Sequence, residues 1–417
     1  MATIDALRKT RLKKFKAIQK AGIFAYPEKT KRTHKIDEAL KDFNSLSRLK
    51  KEIILAGRIK SLREHGGSTF LDIEDGTAKI QAFFRKDRIG EKRYKFFLDN
   101  FDIGDFIEIR GILFKTKKGE KTIETADFKM LAKSLLPLPE KWHGLTDVEE
   151  RFRKRYLDLI FNPEVKKKFE IRSRIIKEIR NFLENEGFLE VETPILQPIY
   201  GGANAKPFKT HLNALDMDLY LRISPELYLK RLLVGGFEKV YEFARCFRNE
   251  GMDRQHNPDF TNLEFYWAFA DYKDLMNFTE KMFAAVLKNI FGKYQIEHEG
   301  KKIDFKTPWP RVEYTQLFKK YTKINLEEIN EDALKKEAKK MGVEFKKDER
   351  KTDVADKIYK KYCLPEISNP IFLIHHLKDS APLAKQLKKD ENKLARFQVI
   401  ASGWELANAF SELNDPI

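Results

Sequence analysis

Hydrophobic and polar positions change their period several times along the chain, and each change marks a segment. In MATIDALRKTRLKKFKAIQKAGIFAYP, Leu7, Leu12, Phe15 and Ile18 fall at helical spacing. The pattern predicts a basic amphipathic helix ended by Gly22 and Pro27. A basic N-terminus can be mistaken for a transit peptide, but the apolar stripe assigns this one to the mature protein. Between residues 52 and 135 the period becomes two. IILAGRIKSL, STFLDIEDG, AKIQAFF, DFIEIRGILF and KTIETADFKML read as short strands separated by Gly and charged turns. Helical spacing returns at Phe169, Ile175, Ile176, Ile179 and Phe182, and Gly187 stops it. Leu189, Val191 and Pro194 follow as a short strand closed by proline.

These elements predict an α+β protein in two main parts. Residues 1–45 form a helical region. Residues 46–137 form a small five-stranded barrel, for which an OB-fold is the leading arrangement. Residues 138–160, with prolines and a charged helix, read as a linker, and 161–417 as the second domain. A Lys/Glu-rich stretch, about 324–361, reads as a solvated helical insertion without chemistry. The length of 417 residues agrees with roughly two to three domains.

Composition narrows the function. With 42% apolar and 12% aromatic residues the chain can fill sizeable cores. A net charge of +17 favours a polyanion such as nucleic acid, although a Lys-rich solvated surface has the same signature. The two cysteines, Cys246 and Cys363, belong to no CxxC pair or Cys/His cluster, which argues against structural zinc and a disulfide framework. No apolar run approaches the ~18 residues of a membrane span, and with the N-terminal helix read as part of the mature protein a cytoplasmic location is expected. On an OB-type barrel, Phe70 and Gln81 are candidates for stacking and reading bases, with Arg58 nearby. Periodicity alone leaves Phe70 more simply in the core.

The densest chemistry lies at FRNEGMDRQHNPDF, residues 247–260, between the β-rich runs KVYEFARCF and TNLEFYWAFADY. Residues of equal parity share a strand face. If 240–250 and 260–270 pair antiparallel, Arg248 and Glu250 face one way, as do Glu264 and Tyr266. The loop adds Arg254 and His256, and Gly201–Gly202 lie upstream. Such a set forms either a self-satisfied ion-pair network or a site for a ligand carrying phosphate, carboxylate and amine groups.

This stretch resembles motif 2 of class II aminoacyl-tRNA synthetases. YGGANAKPFKTHLNALDMDLYLRISPELYLKRLLVGGFEKVYEFARCFRNEG and WELANAFSELNDP resemble the lysyl-tRNA synthetases, of subclass IIb, and the likeness covers nearly the whole chain. It implies an OB-fold anticodon-binding domain and a class II catalytic domain built on an antiparallel sheet flanked by helices. It also implies a homodimer, with Pro194 in the motif 1 interface, and ATP, L-lysine and tRNA(Lys) as partners. Arg248 then contacts the ATP α-phosphate and the lysine carboxylate. Glu250, His256 and Phe260 surround ATP. Gly202 and Glu226 take the α-amino group, and Glu412 and Tyr266 the ε-ammonium, with Glu264 and Asn408 nearby. Phe70, Gln81 and Arg58 read the anticodon. Mg²⁺ is the implied cofactor: Glu405 matches one of its two usual carboxylates, whereas Gln398 stands at the other.

The sequence stops at Ile417, just after SELNDPI, and contains no GxGxGxDR-like motif 3. An incomplete sequence of a full enzyme is the simplest expectation. A split or inactive fragment that binds tRNA is the alternative, and synthetases for aspartate or asparagine, or a lysine ligase acting on protein, are chemical rivals.

Overall fold

A computed structural model describes residues 3–139, 147–253 and 256–415. The chain divides into two compact units, residues 1–166 and 167–417.

The first unit opens with a helix, Ile4–Lys20, capped by Thr3, whose Oγ1 accepts from the Ala6 amide. Gly22, at φ +72°, turns the chain after it. Ile18 is fully buried, and Arg11 donates to the carbonyls of Ser134, Leu136 and Ile103. Strands β1 (Glu52–His65), β2 (Ser68–Glu74), β3 (Lys79–Arg85), β4 (Phe106–Lys115) and β5 (Lys121–Ala132) close a barrel in the order β1-β2-β3-β5-β4. The period-two pattern sets the faces: Thr69, Leu71 and Ile73 fill the interior, while Phe70, Asp72 and Glu74 lie on the outside. β4 and β5 approach so closely at Gly111 that a Cβ there would lie 2.0 Å from Glu124 O. Phe97, on a helix that follows β3, stacks on Phe84 at 4.4 Å inside the core.

The second unit carries β6 (Leu189–Glu190), β7 (Leu196–Gln197), β8 (Phe208–Leu212), β9 (Met217–Leu221), β10 (Lys239–Phe247) and β11 (Asp259–Trp267). After them come β12 (Gln295–His298), β13 (Lys301–Asp304), β14 (Arg311–Glu313), β15 (Ile371–Ile374), β16 (Gln386–Leu387), β17 (Asp390–Leu394), β18 (Arg396–Ala401) and β19 (Trp404–Phe410). Two sheets matter for the site, one ordered β11-β10-β6 and the other β14-β15-β18-β19. Their long pairings, β10 with β11 and β18 with β19, are antiparallel; the short β6/β10 and β14/β15 pairings are parallel. The helix Tyr272–Phe291, capped by Asp271, buries Met276 and Leu287 in one core with Phe372 of β15 and Phe397 and Val399 of β18. The helix Pro163–Asn185 ends before Gly187, which takes φ +82°.

The helical insertion differs from its expectation as a merely solvated element. Helices Glu331–Lys340 and Lys351–Tyr362 present Lys and Glu to solvent on one face only. The other face buries Leu334, Ala338, Val354, Ala355 and Ile358 in a cluster that includes Leu373 of β15 and Ile400 of β18. Its high charge content masked the narrow apolar stripe. Among the described residues, no helix is long and apolar enough to cross a membrane.

Candidate active site

The β10–β11 hairpin positions the site. Its register sets Val240 opposite Tyr266, Glu242 opposite Glu264 and Ala244 opposite Asn262. One ladder-like bond continues past the strand end, from Arg248 N to Pro258 O at 2.8 Å. Arg248 therefore stays in register, whereas Glu250 does not. β10 ends at Phe247, so parity says nothing about Glu250; its Oε1 instead accepts from the Lys206 amide at 3.3 Å. The loop holds His256 against Asp253, with His256 Nδ1 2.8 Å from Asp253 Oδ2. Arg254 lies outside the described residues.

Part of this set satisfies itself. Glu242 is buried against Arg222 at 2.6 Å and accepts from Thr193. The rest faces a cleft of about 2800 Å³. Gly202, Glu226, Arg248 and His256 line it from one side, Glu264 and Tyr266 from β11, and Glu405, Asn408 and Glu412 from β19 and just beyond. Phe260, Glu250 and Gln398 are not in its lining. Phe260 nevertheless lies under the Arg248 guanidinium, 5.0 Å from its centre. Among the described residues Arg248 makes no ion pair, and its Nε donates only a 3.4 Å bond to Ile223 O. A guanidinium with spare donors in the lining of a cleft suits a phosphate or carboxylate.

Three carboxylates, Glu226, Glu264 and Glu412, line the same cleft. Glu264 accepts from Ser224 Oγ, Asn262 Nδ2 and Tyr266 OH at 2.8, 2.9 and 3.1 Å. Burial raises its pKa in spite of these donors, with Glu226 adding to the rise. Glu226 and Glu412 share one cation, the Lys230 ammonium, at 2.6 and 2.7 Å. Burial also pushes the Glu412 carboxyl up, while Lys230 pulls it down. Gly202 makes room for this group. It sits at φ +86°, and a Cβ there would come within 2.8 Å of Glu226 Cβ and 2.9 Å of Ser224 Oγ.

The expected metal pair is incomplete. Glu405 is a carboxylate whose pKa burial raises, and it accepts from Gln398 Nε2 at 2.8 Å. The Gln398 carbonyl is already engaged, 2.9 Å from His376 Nε2. His376 is enclosed, and burial with the nearby Arg396 lowers its pKa to about 3, so it stays neutral and can donate there. Gln398 thus offers a cation only the remaining lone pair of a neutral, already hydrogen-bonded amide oxygen, without the charge of a carboxylate. Among the described residues no group of three or more His, Cys, Asp or Glu is placed to hold a metal ion. Asn408 is also committed, accepting from Arg396 Nε at 2.9 Å.

On the barrel, Phe70 stacks on Phe83 at 4.4 Å on the outer face, against the core position favoured by periodicity. Gln81 accepts from Thr122 Oγ1 at 3.0 Å on the same face. Arg58 does not join them. It lies toward the other end of β1, opposite Glu74, with its guanidinium 4.2 Å above the Phe106 ring. Arg63, directly opposite Phe70, and Phe114, 6.2 Å from Phe83, are the neighbours that pattern reading missed. The register of β1, which slips between Ile59 and Ser61, could not be read from sequence. Pro194 accepts through its carbonyl from Gln197 Nε2 beside exposed Ile195, Leu196 and Ile199.

Comparison with known proteins agrees with this geometry. The family described as tRNA synthetases class II (D, K and N) matches residues 147–417, and the OB-fold nucleic acid binding domain matches residues 53–135. A lysine–tRNA ligase of Carboxydothermus hydrogenoformans is 47% identical over 415 residues, covering 99% of this chain and 84% of the relative. One from Pelotomaculum thermopropionicum is 47% identical over 417 residues, covering 99% and 82%. One from Syntrophomonas wolfei is 46% identical over 416 residues, covering 99% and 84%.

Proposed function

The chain belongs to the lysine–tRNA ligases, within the class II tRNA synthetases, and on that premise we propose how its cleft joins lysine to tRNA. One observation carries the reading of the pocket. Glu226, Glu264 and Glu412 line a cleft that also holds the guanidinium of Arg248, which makes no ion pair among the described residues. A substrate with two ammonium groups and one carboxylate complements that layout. Aspartate or asparagine brings only one ammonium group, so the three carboxylates, with Lys230 as their one cation, would keep an uncompensated negative charge in a partly desolvated site, a costly arrangement.

In the first step a lysine carboxylate oxygen attacks the ATP α-phosphorus. The new P–O bond forms as the α–β bridge breaks, giving lysyl-adenylate and pyrophosphate. Arg248 holds both the substrate carboxylate and the α-phosphate, so it aligns the reacting atoms and stabilises the charge that develops between them. Phe260 offers its ring to the adenine, with Glu250 and His256 at the ATP side. Gly202 and Glu226 receive the α-ammonium, and Glu412 and Tyr266 the ε-ammonium, with Glu264 and Asn408 behind them. In the second step a terminal ribose hydroxyl of tRNA attacks the lysyl carbonyl, and AMP leaves.

The family generally uses Mg²⁺, which when bound offsets polyphosphate charge. Glu405 would hold it here as a single carboxylate, with phosphate and water oxygens completing the shell. The barrel face of Phe70, Phe83 and Gln81 stacks and reads anticodon bases of tRNA(Lys), with Arg63 in place of the more distant Arg58. The exposed apolar strip at Leu189, Ile195, Leu196 and Ile199, next to Pro194, is the homodimer contact. The place of action is the cytoplasm.

The test is aminoacylation of tRNA with labelled lysine. Lysine-specific charging is expected; charging with aspartate or asparagine instead would overturn the pocket assignment.

A further inference from the structure

Lys230 touches no substrate in the reading above, yet its ammonium pairs with two of the carboxylates that line the cleft. It lies one helical turn after Glu226, on the helix Glu226–Val234. Its Nζ is 2.6 Å from Glu226 Oε1 and 2.7 Å from Glu412 Oε2. Glu226 comes from the helix start and Glu412 from beyond β19, so this one ammonium ties together two segments distant in sequence. Only about a quarter of the Lys230 side chain is exposed, and the Glu226 side chain is nearly enclosed. The second oxygens, Glu226 Oε2 and Glu412 Oε1, accept no hydrogen bond among the described residues. A carboxylate has lone pairs on both oxygens, so each can hold a second cation without releasing the first.

Charge supports the same arrangement. With Glu226, Glu264 and Glu412 ionised, Lys230 cancels one of three negative charges. Two remain, equal and opposite to the two ammonium groups of the substrate. Without Lys230, Glu226 and Glu412 would repel each other across the pocket and lose their common anchor.

We propose that Lys230 is a positioning and specificity residue that fixes the spacing and net charge of the two acidic ends of the amine pocket. It grips one oxygen of each carboxylate and leaves the other to receive the substrate. The spacing it imposes measures the distance between the two ammonium groups, and so selects lysine over shorter diamino acids. This rests on the lysine-pocket reading proposed above.

The test is calorimetric binding of L-lysine and L-ornithine to the full chain, for wild type, Lys230→Met and Lys230→Arg. Lys230→Met keeps length and removes charge. Its lysine affinity should fall about tenfold, and its preference for lysine over ornithine, which differ by one methylene and by ~10–200-fold where a pocket measures length, should shrink several-fold. Lys230→Arg should restore much of both, and ATP binding should be the same in all three. Circular dichroism identifies a variant that fails to fold, in which case Lys230→Gln replaces Lys230→Met. Unchanged or tighter lysine binding in the neutral variant would overturn the proposal, because Lys230 would then be a spectator or a competitor. So would equal weakening for lysine and ornithine with no rescue by arginine, the signature of a purely structural residue. Wild type that binds lysine without charging tRNA would refute only the catalytic reading, and the binding comparison would still decide Lys230. Wild type that binds no lysine would overturn both.

Discussion

Replacing Glu412 by glutamine removes one negative charge from the amine pocket while keeping its shape. The structure sets the size of the effect. A hydrogen bond to a charged group contributes about 1.5–3 kcal/mol. The Glu412 side chain is 34% exposed, so solvent screens part of that interaction and the lower end applies. About 1.5 kcal/mol corresponds to roughly a tenfold change in binding. Lys230 keeps Glu226 as a partner, which limits collateral damage to the helix. Steady-state ATP–pyrophosphate exchange at varied lysine reads the outcome. The lysine KM should rise about tenfold, and the ATP KM should stay within twofold of wild type because Arg248 and Phe260 are untouched. An unchanged lysine KM would refute the assignment of Glu412 to the ammonium. A parallel rise in the ATP KM would show that the substitution had disturbed the whole cleft.

Two further outcomes follow from the geometry. Burial raises the pKa of both Glu264 and Glu412, so they take up protons at higher pH than exposed carboxylates do. A protonated carboxyl cannot form an ion pair with an ammonium, so the lysine KM should be lowest near neutral pH and rise as pH falls through these raised values, by up to about tenfold per unit for each proton taken up; a lysine KM that begins to rise only below the range of exposed carboxylates would contradict the raised carboxylates. Phe70→Ala should weaken tRNA binding by about 1–3 kcal/mol while leaving lysine-dependent exchange intact; filter binding at fixed salt reads it, and unchanged affinity would return Phe70 to a structural role.

The barrel was legible because alternation in STFLDIE and AKIQAFF is a backbone rule, and the structure keeps it strand by strand. Arg248 was legible for the same reason, as the first residue after a β-rich run. Glu250 was not, because β10 ends at Phe247, three residues before it, and strand parity does not reach it. Lys230 shows the limit most clearly. Its i,i+4 spacing to Glu226 was visible, but Lys and Glu at that spacing are common on helices, and the Glu412 contact exists only in three dimensions. Gln398 was recognised as a departure, but its capture by His376 depends on how β15 and β18 pair. The apolar stripe of the insertion was hidden by its charges, and the distance of Arg58 from Phe70 was hidden because it depends on which residues of β1 and β2 pair, Arg58 with Glu74 and Arg63 with Phe70.

The central claim is that this cleft activates lysine. ATP–pyrophosphate exchange tests it most directly, with the chain supplied in turn with lysine, aspartate and asparagine. Exchange with lysine alone is the expected result. Exchange with aspartate or asparagine, or no exchange with lysine, would contradict it.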